Sequence, residues 1–354
     1  MGTGKHMLDI IVVFVGALAL LFAARKIARR VGLVDKPNAR KHHSGHIPLV
    51  GGVSIYFSLW LLYSLQPGWL PGFPVYMLCI TLLLLVGVID DRFDLPVMPR
   101  MLVQAGVAGI MMWQGLAIDS LGTFLFGYPL MLGALGYLVT LFAVIGSINA
   151  FNMVDGIDGL LGALASVAFA TLSMLFFFGG QTELGMWCLA LVVACMPYIL
   201  LNLGVPWGRK FKIFMGDAGS MLIGFTVIWL LILASQGEDA VMAPVTALWI
   251  IALPLMDMIR VMISRVRRGS SPFRPDREHL HHILMRAGFS GRMTLAMMTS
   301  GQLFSGMLGI ILEGCHVPDN WQFAIFCLSF IAFIYGVRMV ARIKLTSDTI
   351  MTVK

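Results

Sequence analysis

Apolar residues run along this chain in long, nearly unbroken blocks. They do not follow the spacing of an amphipathic helix or the alternation of a half-buried strand. Each block is close to the ~20 residues an α-helix needs to cross the hydrocarbon core of a bilayer. Eleven are legible, near 8–28, 47–66, 75–92, 98–116, 130–150, 158–178, 184–204, 214–234, 242–264, 293–312 and 321–341. The fourth and fifth are the least sharply bounded, because "GLAIDSLGTFLFGYPL" leaves room for a re-entrant piece or a hairpin. The pattern predicts an all-α polytopic membrane protein of about eleven transmembrane helices. A short tail at 1–7, one transmembrane domain over 8–341 and a C-terminal tail at 342–354 complete it.

Composition agrees. Hydrophobic residues make up 58% of the 354 and charged residues 12%, about half the roughly 25% charged share of a soluble domain. The 25 Met and 23 Phe read as lipid-facing and packing side chains. Five cysteines (79, 188, 195, 315 and 327) form no CxxC pair. Their odd number argues against a disulfide framework, and their spacing against a zinc site. The opening "MGTGKHM" lacks the spacing of a phosphate-binding loop. It reads as a short tail of the kind a cloning vector leaves.

Charge then orients the spans. Lys and Arg collect in short cytoplasmic loops. Of the 25 here, only Lys5 lies on the side where the first helix begins. Arg25 to Arg30, Lys36 to Lys41, Arg92, Arg100, Arg209 to Lys212, Arg265 to Arg292 and Arg338 to Lys354 fall on the other. The opposite loops, such as "QPGWLPGFP" and "SQGEDAV", hold neither. An eleven-span chain with its N-terminus periplasmic and its C-terminus cytoplasmic accounts for this sorting. The net charge of +7 then reflects orientation and affinity for anionic headgroups or substrates, and no nucleic acid is expected.

On this topology every unusual polar stretch falls on the cytoplasmic face: "DKPNARKHHSGHIPLVGG" (35–52), "DDRFDLP" (90–96), "NAFNMVDGIDGL" (149–160), "FMGDAGS" (214–220) and "SPFRPDREHLHH" (271–282). Ionisable residues at span ends are functional candidates. Asp90, Asp91 and Asp94 are like charges crowded at a helix C-terminus, the wrong end for anions. A divalent cation relieves both problems, and hard oxygen ligands favour magnesium or manganese. In the next stretch Asn149 and Asn152, then Asp155 and Asp158, are each three apart and share a helix face. Gly156 and Gly159 suggest that the helix opens there for a ligand.

"FMGDAGS" looks like a tight turn into a helix N-terminus, a place that binds anions including phosphates. Asp217 in it can cap that helix. Three histidines (279, 281 and 282) invite a zinc reading, but no Cys or HExxH partner supports one. With Arg265, Arg267, Arg268, Arg274 and Arg277 nearby, the loop reads as a phosphate clamp. Ordinary positive-inside charge is the bland alternative. Asp257, three residues before Arg260, is most simply paired within the bundle. Together these groups suit phosphoryl transfer between a cytosolic phosphate donor and something held in lipid.

Four signatures in order, DDxxD at 90–94, NxxNxxDGIDGL at 149–160, GDxGS at 216–220 and HxHH at 279–282, resemble those of the polyprenyl-phosphate N-acetylhexosamine-1-phosphate transferases. The likeness covers essentially the whole chain. "GLVDKPN", "IPLVGG" and "PLMDM" look most similar to the enterobacterial branch that uses UDP-GlcNAc and undecaprenyl phosphate. The branch acting on UDP-MurNAc-pentapeptide carries HHHxE in place of "HLHH".

The resemblance implies a phosphoglycosyl transferase of the inner membrane, active at the cytoplasmic face, making undecaprenyl-diphosphate-GlcNAc and UMP for O-antigen and related lipopolysaccharide or surface polysaccharide. It implies Mg2+, with Mn2+ as substitute. UDP-GlcNAc, undecaprenyl phosphate, membrane lipid and a second copy of the chain, as a homodimer, are the implied partners. By the same resemblance Asp217 ligates the metal with Asn152, and Asp91 supports them. Asp90 is the base or orienting carboxylate for the lipid phosphate, and Asp155 and Asp158 shape the sugar-nucleotide site. Phe214 stacks on uracil, and Arg100 serves the diphosphate. Arg265 and the loop with His279, His281 and His282 grip the donor. Asn149 and Asp35, the latter in the shared "GLVDKPN" stretch, stand with the substrate-binding residues. An intramembrane prenyltransferase fits less well, because its two acidic motifs are alike and these are not. A secondary transporter carries ionisable groups near the bilayer midplane, whereas these lie at one rim.

Overall fold

The computed structural model describes residues 2–35, 45–125, 127–272 and 277–351. Lys36 to Lys41 and Arg274, assigned above to the basic face and the clamp, lie outside them. Helix α1 (Gly2–Val31) leads into a two-residue ladder, β1 (Val34–Asp35) with β2 (Ile47–Pro48). Helices α2 (Gly51–Leu65), α3 (Phe73–Phe93) and α4 (Val97–Trp113) follow. Next come the hairpin β3 (Ser120–Leu125) and β4 (Tyr128–Met131), then α5 (Leu135–Val154), α6 (Leu160–Phe178) and α7 (Thr182–Leu203). The last six are α8 (Gly216–Ser235), α9 (Pro244–Ile250), α10 (Ala252–Arg267), α11 (Leu280–Arg286), α12 (Gly291–Gly314) and α13 (Asp319–Met351). Residues 2–7, expected as a tail, belong to α1, and α13 runs past residue 341.

In lipid every backbone polar group needs an internal partner, so apolar runs of this length form helices. Among the described residues, eight helices are long and apolar enough to cross a membrane, and α2 and α4 are shorter apolar helices. The hairpin fills the segment between the fourth and fifth blocks, and Asp319 fixes it by accepting from Thr123 N at 2.6 Å and Thr123 Oγ1 at 2.9 Å.

The block at 242–264 is not one straight helix. It bends by 83° between α9 and α10. Pro254 has no N–H to donate, which leaves the Ile250 carbonyl without its helical partner. Gln302 of α12, almost fully buried, repairs the break. Its amide donates to Ile250 O, and its oxygen accepts from Leu253 N at 2.9 Å.

Helix α8 is the axis of the bundle. Its most apolar stretch is 89% buried, against 11% for α13 at the periphery. Small residues let three neighbours approach its backbone. A first side-chain carbon at Gly52 would lie 2.3 Å from Gly219 Cα, one at Gly87 2.2 Å from Ala218 Cα, and one at Gly224 2.6 Å from Ile148 Cα. Such close approach is how helices associate where no hydrophobic force separates protein from lipid. It brings the ends of α3 and α5 and the start of α2 to the first turn of α8, where the polar motifs lie.

Candidate active site

The "FMGDAGS" turn is clasped by backbone. Phe214 N donates to Pro48 O at 2.9 Å, and Phe214 O accepts from Val50 N and Gly51 N at 3.1 and 3.0 Å. Met215 O accepts from Gly52 N at 3.3 Å. The "IPLVGG" stretch therefore holds the turn that starts α8. Asp35 ends β1 opposite Ile47 in the same ladder. Gly216 takes φ +77°, open to glycine at little cost, and a side chain there would meet Asp91 Oδ2 at 2.4 Å.

The three acids of "DDRFD" separate. Asp90, 5% exposed, pairs with Arg100 Nη1 at 2.8 Å and accepts Leu95 N at 2.7 Å. Asp91 accepts Asp217 N at 2.8 Å and Ala218 N at 3.3 Å. Asp94 is exposed in left-handed backbone, φ 53°, and ends α3. The α8 N-terminus was expected to hold a substrate phosphate or to be capped by Asp217. The N–H groups of its second and third residues, Asp217 and Ala218, are taken by Asp91, which relieves orphaned N–H groups of a helix start.

Asn152, in the last turn of α5, donates to Asp217 Oδ1 at 2.6 Å and Ser220 Oγ at 2.8 Å. Asn149, one turn earlier, is not brought to this cluster. Its amide donates to Gln104 Oε1 of α4 at 2.9 Å and Ile145 O at 2.7 Å. A turn of about 100° per residue carries the two asparagines onto neighbouring faces of α5. Asp155 is open on one side, but desolvation on the other, then the Asp217 and Asp158 carboxylates, push its acid up to about 7. Asp158 pairs with Lys212 Nζ at 2.6 Å, and that ammonium sits 5.2 Å from the centre of the Phe214 ring.

Two residues of the site carry little signal in the sequence. Lys212 reads there only as positive-inside charge. Asn202, at the end of α7 and 2% exposed, is marked only as an amide in an apolar run. Its oxygen accepts from Gly159 N at 2.5 Å, and its amide donates to Ile213 O at 2.7 Å. It thereby pins the "DGIDG" loop to the Phe214 turn.

The histidine loop closes the site from α10 and α11. His281 is 1% exposed and hydrogen-bonds through neither ring nitrogen. A side chain at Gly156 would lie 2.1 Å from its Nε2, so the ring packs on the "DGIDG" backbone. Desolvation, then His282 and His279, hold its pKa down to about 3. The His282 ring, 4.2 Å away, is also lowered, chiefly by desolvation. Arg265 is 4% exposed and donates to Pro272 O at 2.5 Å. It braces the start of the loop at Pro272.

No group of three or more His, Cys, Asp or Glu side chains among the described residues is arranged to hold a metal. The donors nearest to such a site are the Asp217 carboxylate and the Asn152 amide, whose oxygen faces Asp217 after a 180° rotation. The Asp155 carboxyl feels the charge of Asp217. These are hard oxygens, which suit magnesium or manganese. Asp91 stands behind them on the α8 backbone.

The fold and site define a polytopic all-α membrane protein whose acids gather at helix ends on one rim of the bundle. The sequence model of glycosyl transferase family 4 matches residues 73–235. Similar relatives bear the name undecaprenyl-phosphate alpha-N-acetylglucosaminyl 1-phosphate transferase. That of Escherichia coli K12 is 49% identical over 330 residues, covering 93% of this chain and 89% of the relative. That of Yersinia pestis is 48% identical over 337 residues (95% and 92%), and that of Pasteurella multocida 47% over 338 (95% of each). The chain belongs to glycosyl transferase family 4.

Proposed function

We propose that this protein transfers GlcNAc-1-phosphate from UDP-GlcNAc to undecaprenyl phosphate, giving undecaprenyl-diphosphate-GlcNAc and UMP. The observation that carries this reading is the 47–50% identity to transferases of that name along nearly their full length. The meeting of Asp91, Asn152 and Asp217 at one helix start supports it. The product fits the first membrane step of O-antigen and related surface polysaccharides. We place the enzyme in the bacterial inner membrane as a single catalytic domain. Eight long apolar helices support this placement; eleven crossings follow in our reading by counting the bent pair and both shorter apolar helices as spans, and the charge sorting favours a periplasmic N-terminus and a cytoplasmic active face. A homodimer remains part of the proposal.

In the reaction a lipid phosphate oxygen attacks the β-phosphorus of UDP-GlcNAc. The bond from that phosphorus to the bridging oxygen breaks, and its electron pair leaves with UMP. Asp90, buried against Arg100, orients the lipid phosphate and accepts its proton. Arg100 offsets charge on the reacting phosphates. Phe214, with Lys212 beside it, offers a face for uracil, while Asp158 and Asp155 shape the sugar-nucleotide pocket. Asp217 and Asn152 would hold a divalent cation, Mg2+ or Mn2+, which when bound would supply charge neutralisation for the diphosphate. His281, neutral and packed on Gly156, and the helix that carries it wall the donor side. Asn149 and Asp35 act from the second layer.

The test is UMP release by purified protein with UDP-GlcNAc, beside UDP-GalNAc and UDP-MurNAc-pentapeptide. Release with UDP-GlcNAc that requires both undecaprenyl phosphate and the cation is expected. Release with UDP-MurNAc-pentapeptide alone would overturn the donor assignment.

A further inference from the structure

Asp257 was expected only to neutralise Arg260 within the bundle. It does pair with Arg260 Nη2, at 2.7 Å, but that is one of three contacts. Its carboxylate has 0% exposure and also accepts His279 Nδ1 at 2.9 Å and Leu280 N at 3.0 Å. A charge buried so deeply persists only with such partners. Leu280 N is the first donor of α11, so Asp257 caps that short helix from another element. A carboxylate is an acceptor, so Nδ1 of His279 carries a proton whatever the charge of the ring. Nε2 then points away from Asp257, with Arg265 Nη2 at 3.5 Å. The His279 and His281 rings lie 5.9 Å apart and 4° from parallel. His281 in turn packs on Gly156.

We propose that Asp257 is a positioning residue for the donor side of the site: it sets the ring orientation of His279 and the seat of α11, and thereby places His281 against the "DGIDG" loop. This rests on the reading of that loop as the donor's pocket. Asp257 touches no substrate. Its chemistry is that of a carboxylate behind an imidazole, fixing which nitrogen is offered and at what angle.

The test is a split of kinetic constants in the full-length enzyme in lipid or detergent, with Asp257→Asn and Asp257→Glu. Asn keeps the shape but replaces one acceptor oxygen with an amide. Glu keeps the charge for Arg260 but moves it by a methylene. Positioning raises the KM for UDP-GlcNAc by about tenfold or more in either variant, with the KM for undecaprenyl phosphate unchanged. A purely structural ion pair gives a different result: Asn lowers Tm and the active fraction at constant KM, and Glu stays near wild type. That pattern would overturn the inference while wild-type UMP release leaves the transferase reading intact. Should Asp257→Asn not fold, the donor KM of Asp257→Glu decides alone. A wild-type enzyme that releases no UMP from UDP-GlcNAc would remove the transferase reading and this inference with it.

Discussion

Asp91 accepts the N–H of Asp217 at 2.8 Å, joining the end of α3 to the first turn of α8. The same carboxylate takes Ala218 N, and Gly216 has no side chain to obstruct it. One acid thus fixes the backbone on which the proposed metal-binding aspartate stands. A mid-helix acid facing a water path would serve a transporter. An acid at a helix end, holding another helix by its backbone, serves a rigid site.

Asp91→Ala should therefore cost both stability and turnover. Loss of a helix-capping acceptor is worth about 0.5–2 kcal/mol, read as a fall in Tm in detergent. A shift of Asp217 by about an ångström is worth about a hundredfold in rate. Asp91→Asn keeps one acceptor oxygen and should retain more Tm than Asp91→Ala. Equal Tm for the wild type and both variants would remove the capping role.

Asp90→Asn tests the acceptor side. Asp90 accepts from Leu95 N with one oxygen and from Arg100 with the other, so an amide there keeps the Leu95 bond, loses the ion pair with Arg100 and removes the base. Turnover should fall by roughly 10²–10⁴-fold, beyond what the modest fall in Tm from the lost Arg100 pair accounts for. An unchanged rate across pH would rule out a proton-accepting role.

Asn202→Ala should cut the tie between Gly159 and Ile213. A buried donor and acceptor left without partners cost about 1–3 kcal/mol each. The expected result is a lower Tm and a raised KM for UDP-GlcNAc, because Asp158 and Phe214 flank the two ends of that tie. A change in Tm alone would make Asn202 a packing residue.

The helix crossing predicts a steric result. Gly52→Ala drives a methyl group into Gly219 backbone at 2.3 Å, where neither helix can yield. A cost of about 1–3 kcal/mol is expected for overpacking, whereas Gly106→Ala, with nothing within 4 Å, should be tolerated. Thermal unfolding of the two side by side checks this.

The histidine loop carries a pH signature. His281 has its pKa lowered from 6.5 to about 3. The unfolded chain therefore binds a proton that the folded chain refuses between those values. Stability is complete above about 6.5 and falls as pH drops toward 3, by about 2 kcal/mol at pH 5. His282 is shifted in the same direction and adds to the trend. Replacing His281 by Gln should lessen the drop in Tm between pH 7.5 and 5. An identical drop in the variant would assign the acid sensitivity elsewhere.

Much of this architecture is legible in local sequence signals. Long apolar runs predict most of the helices within a few residues, and the acids and amides at their ends mark the rim where the site lies. Three kinds of feature depend on contacts that are distant in sequence. Asp91 meets Asp217 across 126 residues, and no local pattern connects a helix end to a distant helix start. The break at Ile251 depends on Gln302, a polar residue on another helix that makes the bend tolerable. Asn149 and Asn152 look equivalent at a spacing of three, yet only one faces α8, because α4 supplies a buried amide for the other.

The most direct measurement follows the transferred phosphorus. UDP-GlcNAc carrying radiolabel at the β-phosphorus is incubated with the purified protein, undecaprenyl phosphate and Mg2+, and the products are partitioned between solvent and water. Transfer of sugar 1-phosphate puts the label in the lipid fraction, with one unlabelled UMP released per lipid formed. Label appearing in UDP, with unlabelled sugar in the lipid, would mean simple glycosyl transfer and would contradict the proposed reaction.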